Sequence, residues 1–204
     1  VMIGASLLWV GWFGFNGGSQ LAADGGAAMA IVVTHISAAA ASLSWAAYER
    51  FRHGKASMVG LVTGTIAGLA SITPASGFVG PIGALIIGGV AGVLCQIACG
   101  WVKELFKIDD TLDVFAVHGL GGIFGTIMAP ILAIEALGGG GLSDGQGIIP
   151  QLIALVSVGV FTVVMTVILI VVVRMIFPLR VSADDEVEGL DYTHHGERAY
   201  DLTS

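Results

Sequence analysis

Long apolar runs separated by short polar segments dominate this sequence. A helix that crosses the hydrocarbon core of a bilayer needs roughly 17–25 apolar residues. Six runs have this length, and they predict transmembrane helices over residues 1–19, 27–47, 56–73, 82–102, 112–137 and 149–176. The pattern therefore predicts an all-α, polytopic membrane protein whose last helix is long enough to tilt or protrude.

Composition supports this class and excludes others. Only 11% of the residues are charged and 55% are hydrophobic, whereas about a quarter of the residues of a soluble domain are charged. Eight Lys and Arg residues are too few for a nucleic-acid-binding surface. Cys95 and Cys99 share one helix face and have no further Cys or His nearby, so they are predicted to pack and not to bind zinc or form a disulfide.

The basic residues predict the orientation of the chain. All of them lie in the connections after the second and fourth runs or at and beyond the end of the sixth: Arg50, Arg52, Lys55, Lys103, Lys107, Arg174, Arg180 and Arg198. The positive-inside rule then places the C-terminus in the cytoplasm, in a multi-pass protein of the cell inner (plasma) membrane. Residues 1–15 lack a basic region and a cleavage site, so they are not a signal peptide; the chain is expected to begin within a span of a longer protein.

Many of the 31 glycines are spaced by four within the apolar runs. Small residues at this spacing let helix backbones approach closely in lipid. The clearest cases are Gly60, Gly64 and Gly68; Gly88 and Gly92; Gly121 and Gly125. Pro130 lies inside the fifth run, where it is expected to kink the helix.

His118 is the first candidate for chemistry, because ionisable side chains within membrane helices usually face a pathway or cavity. A regular helix would place small or apolar residues and one hydroxyl on its face: Thr111, Val114, Gly122 and Gly125. His118 is therefore predicted to be neutral and to line a narrow apolar passage.

Acidic residues precede this histidine at a polar boundary. Asp109, Asp110 and Asp113 are predicted to cap the start of the helix, where carboxylates are favourable. None of them is expected within a turn of the imidazole, so the pattern does not predict a catalytic dyad.

A second cluster lies at the end of the first run. Trp12, Phe15 and Ser19 are spaced by three and four, which puts two aromatic rings and a hydroxyl on one helix face. Such a face can attract a small cation, or it can anchor the helix at the membrane interface. The spacing leaves both interpretations open. His35, among Ala and Ser, is predicted to form an interhelical hydrogen bond.

Four segments resemble the ammonium transporter family (Amt/Mep/Rh), specifically its Amt branch. They are GWFGFNGGS at 11–19, GLASITPASG at 68–77, DDTLDVFAVHG at 109–119 and EGLDYTHHGERAY at 188–200. The resemblance covers essentially the whole chain and corresponds to the second half of a family member: the second inverted repeat plus the last helix of an eleven-span transporter. It implies a homotrimer with a pore in each subunit, and inverted repeats that meet at a site are a general transporter plan.

The resemblance implies roles for individual residues. Phe15 resembles the inner gate phenylalanine, Ser19 the external hydroxyl that meets ammonium, and Trp12 a pore-lining tryptophan that contacts the substrate. His118 resembles the second of two pore histidines, with Val114 lining the same passage. The first histidine, the other gate phenylalanine and the external tryptophan would lie upstream. His35 matches no functional position and stays a packing residue.

The C-terminal segment is interpreted differently by composition and by resemblance. Residues 182–204 are polar and acidic, and composition alone predicts disorder. The resemblance instead implies a partial transporter domain at 1–177 and an ordered cytoplasmic regulatory tail at 178–204, which meets PII signalling proteins. The residues that carry this part of the resemblance are Glu188, Gly189, Leu190, Asp191, His195, Gly196, Glu197 and Tyr200.

The expected function is transport of ammonium or ammonia, with methylammonium as a further substrate, and without enzymatic activity, cofactor or metal. Membrane lipid, the homotrimer and PII protein are the expected partners. The alternative is an ammonium sensor that signals through the tail with little flux. A membrane enzyme with a metal at His118 is a third hypothesis, but the spans offer only His35 as a further histidine.

Overall fold

The computed structural model describes residues 1–198, and every regular element in this range is helical. The longer helices are α1 (Met2–Gly18), α2 (Gly25–His53), α3 (Met58–Ile72), α4 (Pro81–Gly100), α5 (Gly121–Leu132) and α6 (Ile148–Ile176). Two short helices follow, α7 (Ala183–Glu188) and α8 (Leu190–His195). Contacts divide the chain into a unit Val1–Leu155 and a second unit that begins at Val156.

Five helices of the described residues are long and apolar enough to cross a membrane: Gly25–His53, Met58–Ala75, Pro81–Leu105, Phe115–Leu132 and Ile148–Ile176. This confirms the predicted all-α, polytopic membrane protein. Helix α1 has 17 residues, which is at the lower limit for a span. The count of six spans stays a prediction.

Helix α2 packs against both α3 and α4 through glycines of those two helices. Gly68 and Gly88 both lie directly against the backbone of Ser37, and Gly64 lies against the Trp45 side chain. A Cβ atom on Gly64 would fall 2.6 Å from Trp45 Cβ. The remaining glycines of the predicted set, Gly60, Gly92, Gly121 and Gly125, have equally close neighbours, so the close helix approach predicted from their spacing is confirmed.

These contacts also determine the helix directions in the first unit. Along α3, Gly60 meets Glu49 and Gly68 meets Ser37, so α2 and α3 are antiparallel. Along α4, Gly88 meets Ser37 and Gly92 meets Ala41, so α2 and α4 are parallel. The carboxyl ends of α2 and α4 therefore lie at the same end of this unit.

The start and end of α2 follow its capping residues. Asp24 accepts hydrogen bonds from the backbone N–H groups of Gly26 (2.9 Å) and Ala27 (3.1 Å). The bond from Ala27 and the neighbouring Gln20 amide lower the pKa of the Asp24 carboxyl. The helix ends at Gly54, which has a φ of 77°. The predicted end at Ala47 is wrong, because the polar residues that follow continue the helix beyond the apolar run.

The fifth predicted span is too long at both ends. Its helical part is Phe115–Leu132, so Leu112 lies outside it. The helix ends two residues after Pro130, and the carbonyl of Ala133 accepts a bond from the N–H of Gly141 (2.7 Å). The predicted end at Leu137 is wrong. Mostly apolar residues follow Ala133 and predicted a longer span, but they form a short turn after the helix. Pro130 therefore lies near the end of the helix.

The second unit contains the short helices of the tail. The hydroxyl of Ser182 caps α7 by accepting a hydrogen bond from the Asp185 N–H (3.1 Å). Arg180 binds both carboxylate oxygens of Glu186, at 2.8 and 3.0 Å. The described part of the tail is thus helical, in contrast to the expectation from composition.

The close packing of α4 on α2 generates a prediction for two neighbouring glycines. A Cβ atom on Gly88 would fall 2.7 Å from the Cα atom of Ser37, whereas nothing lies within 4 Å of one on Gly89. Gly88→Ala should therefore lower the free energy of unfolding by about 1–3 kcal/mol, since backbone atoms must move. Thermal unfolding in detergent measures this change.

Gly89→Ala is the matched control. It gains helix propensity of roughly 1 kcal/mol without a clash, so its unfolding temperature should equal or exceed that of the wild type. Equal stability of the two variants would contradict the proposed packing.

Candidate functional site

The first unit brings together three of the predicted site residues. The Trp12 ring lies nearly parallel to the His118 ring, with centroids 6.2 Å apart and planes inclined by 16°. Phe15 meets Trp12 edge to face, at 5.9 Å and 73°. Trp12 and Phe15 belong to α1, and His118 lies on the turn that leads into α5. The site is therefore built by two segments more than 100 residues apart in the sequence.

Trp12 is also attached to a third helix. Its indole N–H donates to the Thr73 hydroxyl oxygen over 2.7 Å. Thr73 lies at the end of α3, and its own hydroxyl donates to the carbonyl of Leu69, also over 2.7 Å. Sequence reasoning missed Thr73. It lies within one of the four resembling segments, but a Thr-Pro pair at the end of a span gives no sign of a distant tryptophan partner.

The backbone around His118 is not a regular α-helix. Residues Phe115–Leu120 form a wider π-type turn that continues directly into α5. Such turns are rare, and they occur frequently at functional sites. Because Thr111 precedes the helix, the predicted helical face that joined it to His118 is wrong. Val114 does begin the helical segment and lies one turn before the histidine.

One of the three predicted acidic caps holds this turn. Asp110 accepts from the backbone N–H groups of Val114 (2.8 Å) and Phe115 (2.9 Å), and more weakly from that of Ala116. Asp109 instead accepts from the hydroxyl of Thr111 (2.7 Å).

Asp113 was predicted to cap the helix, and this is wrong. Its carboxylate forms an ion pair with the Lys103 ammonium group at 2.8 Å, and its φ of 57° places it in the left-handed region. The Asp113 carboxylate therefore binds Lys103, at the end of the preceding span, and not the backbone N–H groups at the start of the helix.

The site opens onto an apolar face of the first unit. Phe15 is 60% exposed and Val114 53% exposed, and His118 is exposed as well. Two grooves run along this face. One, of about 450 Å³, is lined by Trp12, Phe15 and apolar residues of α1; the other, of about 270 Å³, is lined by His118 with apolar residues of α1 and α3.

Ser19 lies one turn beyond Phe15, at the end of α1. Its hydroxyl donates to the Phe15 carbonyl over 2.6 Å, so both lone pairs of its oxygen point to other groups or solvent. Ser19 is close to Trp12 and Phe15 in the sequence, and it is exposed. It does not join the ring pair of Trp12 and His118.

His35 packs on the side of α1 that bears two other aromatic residues. Its ring centroid lies 5.2 Å from that of Trp9 and 5.9 Å from that of Phe13. No hydrogen bond of its side chain is found within residues 1–198, so tilted ring contacts with Trp9 and Phe13 replace the predicted interhelical hydrogen bond. Its assignment as a packing residue agrees with these contacts.

The two cysteines lie in α4, as thiols. Cys95 is fully buried and belongs to a core cluster with Trp45, Ala67 and Val117. This confirms its predicted packing role. Among the described residues, no group of three or more His, Cys, Asp and Glu side chains could hold a metal ion.

The tail residues of the predicted set surround the two short helices. Glu188 ends α7, and Gly189 links it to α8 with a φ of 104°. Leu190 and Asp191 begin α8. His195 ends it, Gly196 follows with a φ of 65°, and the N–H of Glu197 donates to the Asp191 carbonyl over 3.0 Å. Tyr200 lies outside the described residues.

Taken with the helices, the site defines a class: a polytopic α-helical membrane protein with a histidine and two aromatic rings on one apolar face. The Ammonium Transporter Family profile matches residues 1–200. Ammonium transporter Amt1 of Archaeoglobus fulgidus is 47% identical over 203 residues, which are 98% of this chain and 51% of that protein. The chain belongs to the ammonium transporter family.

Solved structures agree with this assignment. A structure titled Sensor Amt Protein is similar with a TM-score of 0.86 and 30% identity over 95% of this chain and 48% of the other. Mep2 of Saccharomyces cerevisiae is similar with a TM-score of 0.76 and 36% identity over 86% of this chain and 44% of the other. The chain spans about half the length of the curated relatives it matches.

The cap of the His118 segment gives a prediction. Asp110→Ala leaves the N–H groups of Val114 and Phe115 without their carboxylate partner, and loss of a helix cap costs about 1–2 kcal/mol. We expect a lower unfolding temperature in detergent and faster amide hydrogen exchange within Phe115–Leu120.

Asp109→Ala is the control, because Asp109 binds only an exposed hydroxyl among its described neighbours. Its unfolding temperature should stay close to that of the wild type. Protection of the Phe115–Leu120 amides that is equal in both variants would contradict the capping role of Asp110.

Proposed function

We propose that this chain forms one side of a pathway that moves ammonium or ammonia across the cytoplasmic membrane. The observation that supports it is the near-parallel pairing of Trp12 with His118 on an apolar face, in a member of the ammonium transporter family. Phe15 stands at the edge of this pair and acts as the gate. Transport involves no enzymatic step, cofactor or metal.

Charge decides which species passes. Moving a bare ion into a medium of low dielectric constant costs on the order of tens of kcal/mol. The grooves beside His118 and Trp12 are lined almost entirely by apolar side chains, which offer little compensation. The passage therefore favours neutral ammonia, with its proton left behind or transferred separately.

Each residue of the site has a role that suits its chemistry. Ser19 keeps free acceptor lone pairs for the N–H groups of ammonium at the external end. The aromatic face of Phe15, one turn before Ser19, attracts the cation through its quadrupole, and Trp12 contacts the substrate beyond this ring. His118 can donate from one ring nitrogen and accept at the other, so it can hold ammonia or relay a proton. Val114 lines the passage beyond it.

The opposite wall is proposed to come from the part of the family fold that this chain does not span. That part would supply the first histidine, the second gate phenylalanine and the external tryptophan. It would cover the exposed face that Phe15, Val114 and His118 present. The complete subunits would form a homotrimer in membrane lipid, with one pore per subunit.

The tail is proposed to be regulatory and cytoplasmic. Because α2 and α4 are parallel, Arg50, Arg52 and Lys103 lie at one end of the first unit, which is favourable for the cytoplasmic side. Residues 1–177 would be the membrane part and 178–204 the tail. Helix α7, which is capped by Ser182 and paired with Arg180 through Glu186, offers together with α8 a defined surface for a PII signalling protein.

A sensor is the second candidate. The similarity to a structure titled Sensor Amt Protein, which covers 95% of this chain, favours it specifically. In that case the same site would bind ammonium, and the tail would pass the signal on with little flux. Uptake of radiolabelled methylammonium by cells that make the complete gene product separates the two functions, because only a transporter accumulates label.

His118→Ala tests the proposed pathway directly. The variant should reduce methylammonium uptake by about a hundredfold or more, a size typical of the loss of a proton-transferring group, or alter its substrate preference. Size-exclusion chromatography in detergent should show unchanged assembly.

His35→Ala is the matched control, since the rings that this second histidine contacts are those of Trp9 and Phe13. It should retain uptake. Unchanged flux in the His118 variant would count against the relay role of this residue.

A further inference from the structure

The Thr73 hydroxyl, which lines neither groove, accepts a hydrogen bond from the only donor of the Trp12 ring. The indole N–H donates to Thr73 over 2.7 Å. The Thr73 hydroxyl hydrogen is itself used by the Leu69 carbonyl, also over 2.7 Å. The hydroxyl oxygen is therefore available only as an acceptor, which is the partner that an indole needs.

Thr73 is well placed to fix this bond. It follows α3 and precedes Pro74, and its backbone has helical angles, φ −50° and ψ −50°. A residue before proline is normally pushed out of this region. Its neighbours Ile72 and Ala75 are fully buried, so the surrounding core holds this turn in place, and the bond to the Leu69 carbonyl orients the hydroxyl.

The bond decides which part of Trp12 the groove meets. A free indole N–H in an apolar passage would seek an acceptor, and water or the lone pair of ammonia would serve. With the N–H bound to Thr73, the ring instead presents its carbon face, at 16° to the plane of His118. The edge of Phe15 then rests on the same ring.

We propose that Thr73 is a positioning residue for transport: by holding the Trp12 indole N–H, it orients the ring beside His118 and removes a donor that would retain substrate or water. This role rests on the proposed function. It extends the site to a side chain that does not itself line either groove, and to a third helix.

Thr73→Val removes the hydroxyl and keeps the shape, whereas Thr73→Ser keeps the hydroxyl. In the complete gene product, we expect Thr73→Val to lower the maximal rate of methylammonium uptake about five- to tenfold, a change typical of one lost hydrogen bond. Thr73→Ser should restore the rate to within about twofold. The Trp12 indole proton resonance should move in the valine variant and return in the serine variant.

Two further variants separate positioning from loss of stability. Thr65→Val is the control, because Thr65 lies buried in α3, which Thr73 directly follows, and also donates to a carbonyl four residues before it. It should leave the rate and the Trp12 resonance unchanged. Trp12→Phe lacks the N–H, so adding Thr73→Val to it should cause no further loss.

The results that overturn the proposal are distinct from those that overturn the function. A wild-type rate in Thr73→Val, a serine variant as slow as the valine variant, or an additive double variant would each refute the role of Thr73. A wild-type protein that takes up no methylammonium, or a His118→Ala variant with normal flux, would refute the proposed function instead.

Discussion

Close backbone approach between helices is the constraint on which this structure depends. In lipid, helices gain little from the hydrophobic effect when they associate, and packing of small residues replaces it. Ser37 of α2 touches the backbone of Gly68 in α3, and α3 in turn presents Ser71 to Gly125 of α5. The position of His118 just before α5 follows from this series of contacts. A packing rule thus locates a functional side chain.

Hydroxyl groups supply a second kind of connection between the helices. Thr34 and Thr73 each donate to a carbonyl four residues before them, so each oxygen remains free to accept. Asn16 donates to the first over 2.9 Å, and Trp12 donates to the second. The side-chain donors of Asn16 and Trp12 in α1 are thereby paired with two different helices. An unpaired donor is costly in a membrane, because no water is present to bind it. Together these two threonine contacts fix α1 on both α2 and α3.

The sequence predicted much of this arrangement, because the physical causes were local. Apolar run length predicted the spans, and a three-residue spacing put Trp12 and Phe15 on one face. What it missed depends on contacts between distant segments. The bond from Trp12 to Thr73 joins residues 61 apart, and the pairing of Asp113 depends on a lysine of the preceding span. The π-type turn before α5 likewise has no signature in residue type, so the surroundings of His118 could not be derived.

The attachment of α1 on two sides has a consequence for the speed of the proposed gate. Trp12 and Asn16 flank Phe15 in the sequence, and both are tied to their threonine partners, so this part of the helix has little freedom to shift. The Phe15 ring forms no hydrogen bond and meets the Trp12 ring only through an edge-to-face contact. Side-chain rotation is faster than collective helix movements, which take microseconds to milliseconds. Opening of the proposed gate by rotation of this ring therefore needs no slow movement of α1.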